Sequence, residues 1–142
     1  MVFLLIFSST ICFGGEQFEK TTYIINDLKN NTIWIQSYKY NEFDCSVQST
    51  TLWHLLNDVG IKSLIAYSVY FDTKHNKWMD HVFLLSFLDD KLYYVDATFL
   101  EIRNSNVLMY GYYVTQIYNK PEHANSVWPN EFIKWDISKL KK

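Results

Sequence analysis

Cys45 is the side chain of this sequence best suited to nucleophilic chemistry. A cysteine attacks as its thiolate, and the free backbone N–H groups at a helix N-terminus lower the pKa of a thiol placed there. Cys45 opens a stretch with helical periodicity and follows Asp44, a residue type that caps helix starts. The pattern predicts Cys45 in the first turn of a helix. The alternative is that Cys45 is a packed, inert cysteine. The side chains that lie near it decide between these two interpretations.

The sequence contains four histidines, and only one of them is placed to serve Cys45. His54 lies on the same predicted helix, about 13 Å along the axis and on its opposite side, so it cannot take the thiol proton. His75 and His123 stand in polar stretches, which favours solvated surface positions. His81 opens the apolar run HVFLLSFL, where a titratable ring is costly unless a partner satisfies it.

Asp96 is the partner that the strand pattern offers to His81. Residues 81–88 and 91–99 are predicted as a β-hairpin whose turn is formed by the two aspartates between them. With that two-residue turn, His81 and Asp96 lie on one face as diagonal neighbours, about 7 Å apart at Cβ. A slip of one residue would put them on opposite faces. A buried His–Asp hydrogen bond that only ties two strands together is the alternative interpretation.

Two blocks of the sequence resemble the transglutaminase-like superfamily. Residues 44–61, DCSVQSTTLWHLLNDVGI, resemble its cysteine-start helix, and residues 81–98, HVFLLSFLDDKLYYVDAT, resemble its histidine strand, turn and aspartate strand. The resemblance implies that Cys45 is the nucleophile, His81 the base and Asp96 the residue that orients the base. It also implies an α+β, papain/transglutaminase-like core in which an N-terminal nucleophile helix packs on an antiparallel β-sheet.

The implied activity is cleavage or transfer at an amide bond, peptide or isopeptide, through an acyl-enzyme. The substrate would be a peptide or protein amide, with cell-envelope material as one candidate. Whether water or an amine resolves the intermediate is left open. The backbone N–H of Cys45 is the expected first oxyanion donor, with Gln36 or Tyr38 as candidate second donors. Phe83 stands where the family usually has Trp, and Ser46 replaces a more usual charged residue.

Two other functions remain open. The run FDCS, residues 43–46, also resembles the start of NlpC/P60-like cell-wall peptidases. Val47 stands where that family has glycine, and tyrosines occupy 93 and 94, where its second histidine would fall. The third interpretation is a binding module on the same fold without turnover.

The remaining elements are predicted from periodicity and turn residues. The predicted helix runs from Cys45 to Val59, with Gly60 as its stop. Further strands are predicted at 32–40, 61–71 and, as the fourth strand, 110–118. The C-terminal tail is expected to wrap the sheet through its prolines and aromatic residues: Pro121, Trp128, Pro129, Phe132 and Trp135.

Composition excludes several function classes. Lys and Arg number 13 against 15 Asp and Glu, so no basic field is available for nucleic acid. The sequence shows no paired cysteines or clustered histidines with ligand spacing, and no Gly-rich phosphate loop. No metal or cofactor is therefore predicted. The 142 residues fit one domain, with no repeat or linker.

Residues 1–15 are predicted to be a signal peptide, because they are uncharged, carry an apolar run and end in two glycines. The mature transglutaminase-like domain would span 16–142, without a membrane span, in a secreted, periplasmic or cell-envelope location. A buried N-terminal strand is the alternative, since no basic residue precedes the apolar run. Cys12 in this segment is not predicted to carry a lipid.

Overall fold

The computed structural model describes residues 15–104 and 111–142 as an α+β fold. In chain order the elements are α1 (Glu16–Asn31), α2 (Cys45–Asp58), β1 (Ser63–Asp72), β2 (Lys77–Leu88), β3 (Lys91–Asp96), β4 (Glu101–Asn104), β5 (Tyr113–Tyr118), α3 (Pro121–Val127) and a C-terminal 3₁₀ helix (Ile137–Leu140). The predicted signal segment lies outside the described residues, except for Gly15. No helix within 15–104 or 111–142 is long and apolar enough to cross a membrane.

Helix α2 confirms the helix that was predicted to begin at Cys45. Asp44 has an extended backbone, and its carboxylate accepts the N–H groups of Ser46 and Val47, as an N-cap does. The helix ends at Gly60, whose φ of +80° is the left-handed conformation that glycine adopts without strain. Its N–H and that of Ile61 bond back to carbonyls of the last turn. The cysteine thus occupies the first helical residue.

The sheet is antiparallel, with five strands in the order β4-β3-β2-β1-β5. Helix α2 packs on the face that carries Ile65, Val82, Leu84 and Val95, which are all buried. The opposite face of the sheet carries a second buried cluster, which is formed by Ala66, Phe83, Leu85 and Tyr94. Among the described residues, the two sides of the sheet thus carry one main core and one smaller apolar cluster.

The β2–β3 hairpin has the predicted register. Leu88 faces Lys91 and Leu84 faces Val95, the last paired position of this ladder. The two turn residues, 89 and 90, both have positive φ, as the two-residue hairpin turn with the twist of its strands requires. Residues 77–83 of β2 extend beyond the end of this ladder, and they pair only with β1.

The strand predicted at 32–40 is wrong. This segment contains turns, with a hydrogen bond from Ser37 N–H to the carbonyl of Ile33, and only isolated bridges at its two ends. Trp34 is fully buried, whereas Ile33 and Ile35 remain partly exposed. The alternation of apolar and polar residues in this segment therefore belongs to a turn that the buried Trp34 side chain holds in place.

Helix α1, β4 and α3 were not predicted, and Tyr113–Tyr118 is the fifth strand rather than the fourth.

Helix α1 packs on one side of the core, and its start is bonded to the turn of the β2–β3 hairpin. Asp89 in the β2–β3 turn accepts the N–H groups of Gln17 and Phe18 and so caps the helix from a distant part of the chain. Ile25 and Leu28 on its buried face join the main core. The C-terminal tail, which was predicted to wrap the sheet, packs on the main core, where Phe132 is buried.

Candidate active site

His81 and Asp96 meet as the hairpin register requires. The Nε2 atom of His81 lies 2.9 Å from Oδ2 of Asp96, and both side chains are almost entirely buried. His81 sits on the part of β2 that extends past β3, while Asp96 is the last residue of β3. The chain leaves β3 in a turn at this point, which lets the carboxylate reach along the sheet to the imidazole.

The carboxylate of Asp96 accepts four hydrogen bonds. Oδ2 is shared by His81 and the Tyr94 hydroxyl, at 2.9 and 2.5 Å. Oδ1 accepts the backbone N–H groups of Thr98 and Phe99, at 2.8 and 3.1 Å. Burial alone would raise the pKa of Asp96, but the bonds from His81, Tyr94 and the backbone outweigh it and hold this pKa below 3.8. Asp96 is therefore a fixed anion.

Tyr94 is the site residue that sequence reasoning missed. Its ring is buried against Phe83, at 4.5 Å between ring centroids, and its hydroxyl points at Asp96. Burial, followed by the charge of Asp96, raises the pKa of Tyr94, so the hydroxyl keeps its proton and donates. The signal was present in the sequence, because residues two apart on a strand share a face.

Cys45 opens into a cavity of about 320 Å³ that it shares with His81. The thiol is free and half-buried. The cavity is lined by Ile35, Tyr38, Cys45, Tyr70, Met79, Asp80, His81, Thr98, Phe99 and Tyr112. The helix start and the projecting end of β2 thus bring the sulfur and the imidazole to one accessible space.

The electrostatics of His81 reflect both neighbours. Burial lowers the pKa of this imidazole, but hydrogen bonds and charge interactions with Asp96 and the Cys45 thiol outweigh the burial and raise it to about 9. An imidazole with such a pKa is protonated at neutral pH. It can therefore hold a proton between a sulfur and a fixed carboxylate.

Two aromatic side chains, Tyr112 and Trp34, make contacts around the His81–Asp96 pair. Tyr112 lies against the imidazole of His81, at 5.6 Å between ring centroids. Trp34 donates its indole N–H to the carbonyl of Ala97, at 2.6 Å, immediately after Asp96. The buried indole therefore ties the mispredicted segment 32–40 to the end of β3, next to the carboxylate.

The other histidines lie away from the cavity. His75 is exposed in the β1–β2 turn and bonds Asp72, whereas His123, predicted in a loop, lies exposed in the short helix α3. His54 lies on α2, and burial, followed by the charge of Lys134, lowers its pKa. Neither the cavity nor any other part of 15–104 and 111–142 holds a cluster of three metal-ligand side chains.

The expected oxyanion donors differ in their positions relative to the cavity. The carboxylate of Asp44 accepts hydrogen bonds from the N–H groups of Ser46 and Val47, but not from that of Cys45. The Cys45 N–H therefore lies at the helix start, next to its own sulfur. Tyr38 lines the cavity, whereas Gln36 is not among the lining residues. Burial, followed by the nearby Cys45, raises the pKa of Tyr38 to about 12, so its hydroxyl is a donor at neutral pH.

Comparisons with family models, with curated proteins and with solved structures find no match for this chain.

Proposed function

We propose that this protein is a transglutaminase-like cysteine enzyme, built on a papain/transglutaminase-like core, that cleaves or transfers at an amide bond. The observation that carries the proposal is the cavity shared by Cys45 and His81, with Asp96 bonded to Nε2 of the imidazole. A nucleophile, a proton carrier and an orienting anion form one unit in that arrangement.

The first half of the reaction uses the protonated imidazole. The Cys45 thiolate attacks the amide carbonyl carbon, an S–C bond forms, and the carbonyl electrons move to oxygen beside the helix start. As the tetrahedral species collapses, the C–N bond breaks and the leaving amine takes the proton of His81. The products are an acyl-enzyme, a free amine and a neutral imidazole.

The second half restores the resting state. Water, or an acceptor amine, loses a proton to neutral His81 as it attacks the thioester carbonyl, and the C–S bond breaks. The thiolate and the imidazolium return together. Asp96 keeps its charge throughout and stabilises the imidazolium, because four donors already satisfy its oxygens.

Alkylation with iodoacetamide tests the nucleophile. Cys12→Ser removes the second cysteine, so every modification then reports Cys45. We expect rapid alkylation at pH 6, where an ordinary thiol with a pKa of about 8.5 hardly reacts. Cys45→Ala in this background should show none.

Acylation tests turnover in the same variants. An activated ester such as p-nitrophenyl acetate should give a burst of p-nitrophenol and a protein mass increase of one acetyl group at Cys45. Thermal melts exclude unfolding as the cause of any loss. If Cys45 is accessible at pH 8 but neither alkylated at pH 6 nor acylated, the binding-module interpretation replaces the enzyme.

A further inference from the structure

The charge of the cavity beside Cys45 is negative. The positive charge of the His81 imidazolium is balanced by Asp96, which is bonded to it. Asp80, which lies in the cavity wall, then carries the remaining charge. Neither Lys nor Arg is among the described residues that line it. A cationic group is therefore favoured in this space over a neutral or anionic one.

The walls around Asp80 are aromatic. Tyr38, Tyr70 and Tyr112 all line the cavity, and the rings of Tyr70 and Tyr112 meet at an angle of 61° with their centroids 5.2 Å apart. The faces of tyrosine rings attract cations, most strongly where water is partly excluded. Tyr67 donates its hydroxyl to Oδ2 of Asp80 at 3.3 Å and helps to hold the carboxylate in place.

The tyrosines stay neutral beside these anions. Burial, and after it the charges of Cys45, Asp44 and Asp80, raises the pKa of Tyr38. Burial also raises the pKa of Tyr70, with Asp72, Cys45 and Asp80 adding to the effect. The rings therefore add no negative charge of their own at neutral pH, and Asp80 is the acidic side chain among the described lining residues.

We infer that the cavity recognises a substrate whose acyl part carries a fixed cation, a primary or quaternary ammonium, within one side-chain length of the attacked carbonyl. The ammonium lies against the tyrosine rings and Asp80, while the carbonyl lies on the Cys45 sulfur. This inference rests on the proposed function, because the cavity is a substrate site only if Cys45 is the reacting atom.

The bound ammonium is a recognition group and not the acceptor amine. An acceptor must be unprotonated to attack the thioester, and a negative cavity stabilises the protonated form. A cation held beside Asp80 is thus kept unreactive. A quaternary ammonium, which has no proton to lose and cannot attack, should bind as well as a primary one.

Charged thiol reagents test the cation preference independently of catalysis. In the Cys12→Ser background at pH 8, where any accessible thiol reacts, Cys45 is modified with methanethiosulfonates that carry a trimethylammonium, a neutral ethyl or a sulfonate group. We expect the cationic reagent to react fastest. Asp80→Asn should lower the ratio of cationic to anionic rates about tenfold, as the loss of one nearby charge predicts.

Asp90→Asn is the matched control, because it removes the same charge from the β2–β3 turn, roughly 25 Å along the strand from His81 and beyond the screening length. This variant should keep the ratio within about twofold of the parent protein. An unchanged ratio in Asp80→Asn, or an equal fall in both variants, overturns the inference.

Protection by small ligands tests the aromatic walls. N-acetyl-lysine amide should protect Cys45 from the neutral reagent at lower concentration than N-acetyl-norleucine amide, its uncharged analogue, and its trimethylated form should protect equally well. Tyr70→Leu should weaken protection by both cations and leave the norleucine compound unaffected. Equal protection by lysine and norleucine compounds contradicts the inference. Slow alkylation at pH 6 with a retained cation preference would instead contradict only the proposed enzyme.

Discussion

Histidine and aspartate pair twice in this sheet, once in the β1–β2 turn and once beside Cys45. His75 Nδ1 lies 2.7 Å from Asp72, and His81 Nε2 lies 2.9 Å from Asp96. Both aspartates also accept the backbone N–H groups two and three residues ahead. The local chemistry of the two pairs is nearly the same.

Their surroundings differ. The side chains of His75 and Asp72 are 57% and 21% exposed, against 9% and 3% for His81 and Asp96. Only the buried pair has a tyrosine hydroxyl on its carboxylate and a cysteine within reach of its imidazole. An aspartate and a histidine at bonding distance therefore occur in two settings, and the setting beside Cys45 adds burial and a third group. The exposed pair is a natural control for the buried one.

Replacing each histidine should give the largest contrast. His81→Ala should slow Cys45 acylation by about 10³-fold or more, because the sulfur loses its proton acceptor. Its alkylation at pH 6 should slow by about 10²-fold, which is close to the full difference between a thiolate and an ordinary thiol with a pKa of about 8.5. His75→Ala should leave both rates unchanged. The measurement is the iodoacetamide rate across pH in the Cys12→Ser background. An unchanged profile in His81→Ala would show that His81 and Cys45 do not act together.

Replacing each aspartate should give the second largest difference between the two pairs. Asp96→Asn should lower the acylation rate by about 10²- to 10⁴-fold, because the amide neither stabilises the imidazolium nor fixes its orientation. It should also lower the free energy of unfolding by about 1–3 kcal/mol, since buried donors lose a charged acceptor. Asp72→Asn should keep the parent acylation rate.

The double variant Asp96→Asn with His81→Ala tests whether the two residues act as a unit. It should acylate no more slowly than His81→Ala alone. Losses that multiply would mean that Asp96 acts on the reaction independently of His81. Rates come from the ester burst, and unfolding free energies come from urea titrations of each variant.

Tyr94→Phe should have a smaller effect. The change removes one of four donors to Asp96 and leaves the ring in place, so we expect a roughly tenfold slower acylation and a loss of about 1 kcal/mol in stability. The pH dependence of alkylation should shift, which a purely structural residue would not cause. Tyr93→Phe on the same strand, one residue away and on its other face, is the matched control. Equal behaviour of the two variants would remove Tyr94 from the site.

The pH dependence of stability should give the smallest contrast. Because the folded pKa of His81 is raised from 6.5 to about 9, its contribution is fully present below pH 6.5 and is lost as pH rises through 9. Asp96 acts in the opposite sense, since its pKa is lowered and its contribution is lost as pH falls below 3.8. Urea titrations between pH 6 and 10 should show the first loss in the parent and in His75→Ala, but not in His81→Ala. A parallel decline in all three would assign it to other groups.

Much of this protein was determined by the sequence alone. Local signals defined the start of α2, because a capping carboxylate and a glycine stop act within one turn of the helix. The hairpin register followed from its two-residue turn and the alternation of strand faces, and it placed His81 and Asp96 on one face. These features depend on residues that are close in sequence.

Other features depended on the tertiary structure. The alternation in 32–40 resembled a strand, but burial of Trp34 against the carbonyl of Ala97 made the segment a turn beside the site. Helix α1 is capped by Asp89, a residue 72 positions away from Gln17, and no local pattern shows that partner.

The contact of Cys45 with His81 was likewise decided by packing. The hairpin register determined which face of the sheet His81 occupies. The packing of α2 against the sheet then brought the start of this helix close to the end of β2 that extends past β3. Burial also made this aspartate and histidine pair different from the exposed one, because solvent screening and desolvation depend on what the rest of the chain covers. Sequence spacing determines which groups can meet, and the packed core determines their dielectric environment and their neighbours.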